Sequence, residues 1–247
     1  MIYNQKRLIY FKRFFLIFFD CYIIIKTMID TILEYITIFL ALIVVLPVHE
    51  FAHAFVAVKC GDYTPKTYGR YTLNPMAHFD ALGLICFVLA RFGWAKPVPV
   101  NPMNFRKYRL HSFFVAGAGV LANYILAFIA YPLFILSTLI PEFGLFTLVL
   151  TQTLLYIFSF SLSFAIFNLL PIYPLDGFRL IDSFLKKKTN FYYNYKKYGI
   201  YVLYALFFLS IISDFTNLYY LDALGNIIGL GVGVISTPIT WFWGLIF

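Results

Sequence analysis

The sequence predicts an all-α polytopic membrane protein with about five to six transmembrane helices. Hydrophobic residues make up 62% of the 247 positions and charged residues only 12%, which is too little charge to cover a water-soluble globule of this size. Several apolar runs are long enough to cross a bilayer, which takes about 20 helical residues. The 30 Phe and 20 Tyr residues also exclude a disordered chain, because they supply too much apolar surface to stay solvated.

Apolar runs define the candidate spans. In chain order they are 36–58, 113–140, 146–170, 200–212 and 223–247. The run at 200–212 is short unless it extends back towards residue 192, and the glycine-rich run at 223–247 either spans or packs as a broken helix. A further run at 81–90 is too short to span. The connection between the first two spans is therefore predicted to be a small re-entrant or β-like insert.

These runs divide the chain into three parts. Residues 1–29 form a basic and apolar segment of uncertain role. This segment resembles the start of a signal peptide but lacks a small-residue cleavage site, so we expect a short uncleaved span or a surface helix. Residues 30–185 are predicted to form a membrane-embedded core, and residues 186–247 the C-terminal transmembrane helices.

Lys and Arg are concentrated in two connections, at residues 59–112 and 178–198. The positive-inside rule places both connections in the cytoplasm. The formal net charge of +8 is therefore interpreted as a topology signal near anionic lipid, and nucleic acid is not expected as a partner.

A metal-binding pattern lies inside the first span, where His49, Glu50 and His53 form His-Glu-x-x-His. Residues four apart share one face of a helix, so both imidazoles can reach one tetrahedral Zn²⁺. Glu50 follows the first ligand directly, where it can hold the zinc-activated water and accept its proton. The alternative is that both histidines are buried polar residues bonded to other helices. We predict zinc binding, because ionisable residues within a span are costly and call for an explanation.

Asp176 is the candidate third ligand, since a catalytic zinc site usually has three protein ligands. It is the next-to-last residue of the motif at 168–177, in which two prolines break the third span and Gly177 permits a tight turn. A broken helix at membrane depth is tolerated where it is buried in protein or lines a wet cavity. Alternatively, Asp176 caps a cytoplasmic helix that starts at Gly177. The residues alone leave both possibilities open.

Together these motifs resemble the site-2 protease family of intramembrane zinc metalloproteases, in its compact bacterial and archaeal form without a PDZ or CBS domain. The resemblance rests on His-Glu-x-x-His at 49–53 and on Asn-x-x-Pro-x-x-Pro-Leu-Asp-Gly at 168–177. Three further segments are similar to family sequences: 69–75, 93–102 and 118–123. In the last of these, Val120 stands where the family commonly has Pro.

The resemblance implies a three-helix catalytic core made of the first three clear spans, so that residues 30–185 form the metalloprotease core. It implies that Asp176 joins His49 and His53 in holding one Zn²⁺ per chain. It also implies that Asn123 lies near the active site, where its amide can hold the substrate carbonyl.

The activity that the resemblance implies is hydrolysis of peptide bonds in or near a transmembrane segment, with Glu50 as the general base. The expected substrate is a single-pass or signal-peptide-like membrane protein, and membrane lipid is the other expected partner. We expect an integral protein of a prokaryotic cell membrane, with an active site open to the cytoplasm. We also expect part of the insert, at 83–100, to offer a strand edge to an unwound substrate.

The alternative function is that of a non-catalytic zinc-binding membrane protein, such as a metal transporter or an inactive protease relative. Such a protein has no need of a general base beside its ligands, so Glu50 distinguishes the two functions.

Overall fold

Long α-helices make up most of the chain in the computed structural model, which describes residues 2–83, 95–141 and 144–247, with side chains from residue 23 onwards. The α-helices of the described ranges are α1 (Ile2–Lys59), α2 (Thr64–Thr67), α3 (Tyr108–Thr138), α4 (Leu145–Leu169), α5 (Asp176–Phe184), α6 (Asn190–Thr216) and α7 (Ala223–Trp243).

Among the described residues, five helices are long and apolar enough to cross a membrane. They are the stretch Ile23–Lys59 of α1 and the whole of α3, α4, α6 and α7. The shortest of them has 21 residues, which at 1.5 Å per residue matches a hydrocarbon core about 30 Å thick. The prediction of an all-α polytopic membrane protein is therefore confirmed.

Three of the spans differ in extent from the runs that the sequence shows. The first is part of one helix that continues back to Ile2, so residues 2–29 join the core without a break. The fourth extends back beyond residue 192, because Thr189 caps it by accepting a hydrogen bond from the Tyr192 N–H. The fifth is a continuous helix despite its glycines. One of these, Gly231, faces Ile166 of α4 at a distance that leaves no room for a larger side chain.

The helices α1, α3 and α4 pack against one another at the centre of the protein. Small side chains allow this close approach, since Ala41 and Val45 of α1 meet Ala130 of α3 and Ile157 of α4. Helix α7 packs through Ile239 against Ala127 of α3 and Leu162 of α4.

The insert between α1 and α3 is irregular in its described part. It contains α2 and two 3₁₀ turns, Pro75–Ala77 and Pro102–Asn104, each started by an Asn side chain that accepts a backbone N–H. A single antiparallel bridge joins Phe79 to Ala95, and no longer strand lies within the described residues. Most of the predicted re-entrant run at 81–90, and much of the predicted strand edge at 83–100, lie outside the described residues.

Asp62 ties the end of α1 to the segment that precedes α3. Its fully buried carboxylate accepts hydrogen bonds from the backbone N–H groups of Thr64 (3.1 Å) and Asn101 (2.7 Å) and from the Asn104 amide (2.8 Å). Burial raises the pKa of the Asp62 carboxyl, but these hydrogen bonds outweigh burial and leave the pKa below its usual value.

We expect Asp62→Ala to destabilise the protein by about 2 kcal/mol, because it leaves buried donors without an acceptor. This corresponds to a fall of about 5 °C in the melting temperature of the protein in detergent micelles.

Melting temperatures measured as a function of pH test the role of the Asp62 charge. A lowered folded-state pKa stabilises the fold above the unfolded pKa of about 4, and this stabilisation is lost as the pH falls through the folded pKa. The gap in melting temperature between wild type and Asp62→Asn should therefore shrink below about pH 4. Asp214→Asn, at an exposed aspartate, is the matched control. A gap that stays constant down to about pH 3 would contradict this role for the charge.

Candidate metal centre

Two histidines of α1 lie side by side in the protein interior. His49 and His53 are only 2% and 5% exposed, and their Nε2 atoms are 3.1 Å apart. The helix continues through both residues, although it contains Pro47 just before them. The His-Glu-x-x-His pattern therefore lies on a helix, and both imidazoles face the same space.

The Asp176 carboxylate reaches this space from the break between α4 and α5. The chain leaves α4 at Leu169, and α5 begins at Asp176 with Leu175 as its N-cap. Oδ2 of Asp176 lies 3.3 Å from Nε2 of His49 and 3.0 Å from Nε2 of His53. Asp176 therefore starts a helix, and its side chain also faces the imidazoles.

The turn that presents Asp176 depends on close backbone packing. A Cβ atom on Gly177 would lie 2.2 Å from the carbonyl oxygen of Leu169, so only glycine lets α5 start directly against the end of α4. Helix α6 supports the turn from the other side. Gly199 packs against Tyr173, where a Cβ would be 3.0 Å from the Tyr173 carbonyl oxygen, and the Tyr195 hydroxyl donates to the carbonyl of Pro171.

The three side chains fit a tetrahedral divalent ion. Their ligand atoms are separated by 3.0, 3.1 and 3.3 Å. Zinc–ligand bonds of about 2.0–2.1 Å in a tetrahedron place the ligand atoms about 3.3 Å apart. Both imidazoles lie close to the buried Oδ2 of Asp176, but no described residue makes a well-aligned hydrogen bond to it, which is costly for a carboxylate oxygen unless it binds a cation. The chemistry and spacing of His49, His53 and Asp176 therefore suit Zn²⁺.

The backbone of helix α3 packs directly against the two imidazoles. The carbonyl of Val115 lies 2.6 Å from Nδ1 of His53. Because a carbonyl can only accept a hydrogen bond, Nδ1 carries the proton and Nε2 keeps its lone pair for a metal. One turn later, a Cβ atom on Gly119 would lie 2.4 Å from Nε2 of His53 and 2.5 Å from Cε1 of His49. Only a glycine at this position leaves room for both rings.

The carboxylate of Glu50 is held by the insert. Glu50 is half-buried, and its Oε2 accepts a hydrogen bond of 2.8 Å from the backbone N–H of Val98. Pro97 and Pro99 flank Val98 and have no N–H of their own, so Val98 is the donor that this stretch can offer. The insert thus fixes one oxygen of the acid that follows His49.

Asn123 lies on α3, one turn beyond Gly119. It is fully buried, and neither its Nδ2 nor its Oδ1 has a hydrogen-bond partner among the described residues. Residues four apart share a helix face, so Asn123 and Gly119 lie on the same side of α3. No hydrogen bond within the described ranges joins Asn123 to the three candidate ligands.

The two other histidines bind backbone carbonyls away from this group. Nε2 of His78 lies 2.8 Å from the carbonyl of Thr72, and Nδ1 of His111 lies 3.2 Å from the carbonyl of Cys60. Both histidines therefore have partners that hold parts of the insert in place.

Comparison with known proteins agrees with the geometry. The family model described as Peptidase family M50 matches residues 95–212. A Bacillus subtilis relative named "Putative zinc metalloprotease YwhC" is 44% identical over 149 residues, which cover 58% of this chain and 67% of the relative. The chain belongs to peptidase family M50. A second relative, "Putative zinc metalloprotease Rip2" of Mycolicibacterium smegmatis, is 29% identical over 175 residues, which cover 65% of this chain and 64% of the relative. No solved structure matches the chain.

Family M50 is the site-2 protease family, so the resemblance that the motifs predict is confirmed. By family the chain is a metalloprotease, and by its five apolar helices it is an integral membrane protein. The aligned segments span about two thirds of each relative.

Three contributors to the site were not assigned from the sequence. The Val115 carbonyl and the Val98 N–H are backbone groups, which any residue except proline at the donor position could supply, so no residue type marks them. Gly119 does carry a signal, because it stands in the run of small residues at 116–119 within a helix. Such runs mark close helix contacts in membranes.

We expect Gly119→Ala to remove bound zinc, because its methyl group would occupy the space of the two imidazoles. The zinc content of the purified protein, measured by mass spectrometry, should fall at least tenfold or so. Gly117→Ala is the matched control on the same helix, since its Cβ would meet only the side chain of Leu180, at 3.7 Å. Equal zinc contents in the two variants would show that α3 does not limit the space around the two imidazoles.

Proposed function

We propose that the chain is an intramembrane zinc metalloendopeptidase that hydrolyses peptide bonds in or near the transmembrane segments of membrane proteins. In this proposal His49, His53 and Asp176 hold one Zn²⁺ per chain, and Glu50 is the general base. The observation that carries the proposal is the approach of three buried ligand atoms to within 3.0–3.3 Å of one another, beside a carboxylate that a backbone N–H holds in place.

In this proposal Glu50 carries out both proton transfers of the hydrolysis. The bound ion would supply a Lewis acid that makes a water molecule acidic enough to attack at neutral pH. Because Val98 occupies Oε2 of Glu50, the other carboxylate oxygen is left to take the proton from the attacking water. Glu50 then returns that proton to the nitrogen of the leaving amine, which completes the hydrolysis.

Asn123 is proposed to donate a hydrogen bond to the carbonyl oxygen under attack. Its amide is buried and unpartnered among the described residues, and it shares a face of α3 with Gly119, which touches both imidazoles. A prepositioned donor of this kind stabilises the negative charge that develops on the oxygen in the transition state.

A transmembrane segment is the substrate that the surroundings favour. The site lies among helices that are apolar along their length, and Glu50 opens onto a cavity lined mainly by apolar side chains. His53 is six residues from Lys59, or about 9 Å along α1, which places the site near the basic end of its span. The positive-inside rule supports a cytoplasmic opening at that end.

A non-catalytic zinc-binding membrane protein, such as a transporter or an inactive relative, is the rival function. It would need the three ligands but no general base. The hydrogen bond that orients Glu50 favours the enzyme, because a bystander carboxylate has no need of a fixed position.

We expect Glu50→Gln to abolish proteolysis while zinc stays bound. Gln keeps the size of the side chain and can still accept the Val98 N–H, but it cannot take a proton from water. Turnover should fall at least a hundredfold or so. The measurement compares the membrane proteomes of cells that carry wild type or Glu50→Gln, in search of small membrane fragments that accumulate or disappear, together with the zinc content of both proteins.

His53→Ala serves as the comparison, since it should lose zinc and proteolysis together. If Glu50→Gln cleaves at the wild-type rate, Glu50 is not the base. If wild type holds zinc but gives the same fragments as His53→Ala, the rival function is correct.

We expect Asn123→Ala to lower kcat by about a hundredfold or more with zinc retained, because the lost hydrogen bond acts in the transition state. The kcat and kcat/KM values should fall by the same factor, measured on a reporter transmembrane peptide. Ser161→Ala is the control, because Ser161 of α4 is another buried side chain whose hydroxyl lacks a partner within the described residues. A change confined to KM would contradict the role proposed for Asn123.

A further inference from the structure

A cavity of about 810 Å³ extends along α1. One side is formed by residues of α1 from Glu34 to Glu50, and the other by residues of α4, α6 and α7. The lining is mainly apolar, as suits a space within a bilayer. Glu50 stands at one end of this space, so the cavity leads to the candidate metal centre.

Two charged side chains stand out among the described residues that line the cavity, Glu34 and Glu50. The proposed mechanism uses Glu50 and leaves Glu34 without a role. Glu34 is half-buried, and none of the ion pairs among the described residues involves it. A half-buried carboxylate in a mainly apolar wall is costly unless a group of opposite charge lies close to it.

The position of Glu34 along α1 defines where that partner must lie. Glu34 precedes Lys59 by 25 residues, or about 37 Å of helix, which exceeds a hydrocarbon core of about 30 Å. With Lys59 at one membrane face, Glu34 would lie at the opposite edge of the hydrocarbon core. It also precedes Glu50 by 16 residues, or about 24 Å.

We infer that Glu34 is a specificity-determining residue, which binds a Lys or Arg that flanks the transmembrane helix of the substrate on the membrane face opposite Lys59. The inference rests on the proposed function, because it assigns the occupant of the cavity as a substrate helix. Charge complementarity supports it, since no described lining residue offers a cation to Glu34. A cation on the substrate would provide one.

The geometry also sets the distance between the cation and the bond that is cut. A helical substrate that lies along α1 would place the cation about 16 residues from the scissile bond. Unwinding near the metal centre stretches the chain to about 3.3 Å per residue and so shortens this interval to roughly 12–16 residues. Basic residues on this face are disfavoured by the positive-inside rule, so their recognition would select few membrane proteins.

Binding to an inactive chain tests this inference without cleavage. The protein carries Glu50→Gln and is reconstituted in phosphatidylcholine vesicles, whose lipid has no net charge. The probes are fluorescent helices of about 20 Leu and Ala residues that carry one Lys, Gln or Glu at one end or the other. With Glu34 present, the helix with Lys on the face opposite Lys59 should bind about fivefold more tightly than the Gln helix.

Substitution of the carboxylate should then change the preference. In Glu34→Gln the Lys and Gln helices should bind equally, and in Glu34→Lys the Glu helix should bind best. Asp30→Asn is the matched control, because Asp30 lies one turn away on α1, is exposed and does not line the cavity. It should keep the preference for Lys.

A preference for Lys that persists in Glu34→Gln, that vanishes equally in Asp30→Asn, or that is absent with Glu34 in place overturns the inference. Cleavage of the same helices by the wild type tests the proposed function separately. A chain that prefers the Lys helix but cuts none of the probes contradicts the protease and supports the role of Glu34. A chain that cuts all the probes while Glu50→Gln cuts none, but shows no preference in binding, supports the protease and overturns the role of Glu34.

Discussion

The approach of Asp176 to His49 and His53 is the constraint on which the rest of the structure depends. The ligand atoms come from helices that are far apart in sequence, yet they lie within 3.3 Å of one another. Such an approach requires an interrupted third span and a glycine, Gly177, where α5 starts against the end of α4. It also requires Gly119 on α3, since any larger side chain there would displace the imidazoles.

The irregular insert serves the same constraint through two anchors. The Val98 N–H holds the Glu50 carboxylate, and a few residues later the Asn101 N–H binds the Asp62 carboxylate at the end of α1. The carboxylates of Glu50, on α1, and Asp62, just after α1, thus fix the path of the insert between α1 and α3. The alternation of Pro97, Val98 and Pro99 keeps this path extended and presents a single donor to Glu50. The backbone path of the insert and the position of the Glu50 carboxylate are therefore linked.

The sequence predicts the all-α membrane fold and brings the candidate ligands to attention, because long apolar runs and His-Glu-x-x-His leave few alternatives. It cannot decide between a ligand and a helix cap for Asp176, since the same turn chemistry serves both. In the structure Leu175 is the N-cap, and Asp176 is the first residue of α5 with its carboxylate facing the two imidazoles. The true length of α6 depends on the Thr189 cap, which hydropathy does not register. The roles of the Val98 N–H and the Val115 carbonyl depend on tertiary contacts, which no residue type specifies.

The apolar surroundings favour a filled site whose charges balance. A divalent ion held by two neutral imidazoles is balanced by two carboxylates, those of Asp176 and Glu50, so the filled site would carry no net charge. Burial of such a cluster costs far less than burial of an uncompensated ion. A backbone carbonyl orients His53 without adding charge. Arg179, whose Nη1 lies 3.7 Å from Oδ1 of Asp176, stays half-exposed. A carboxylate in place of the Val115 carbonyl would break this balance, which is why a helix backbone suits the position.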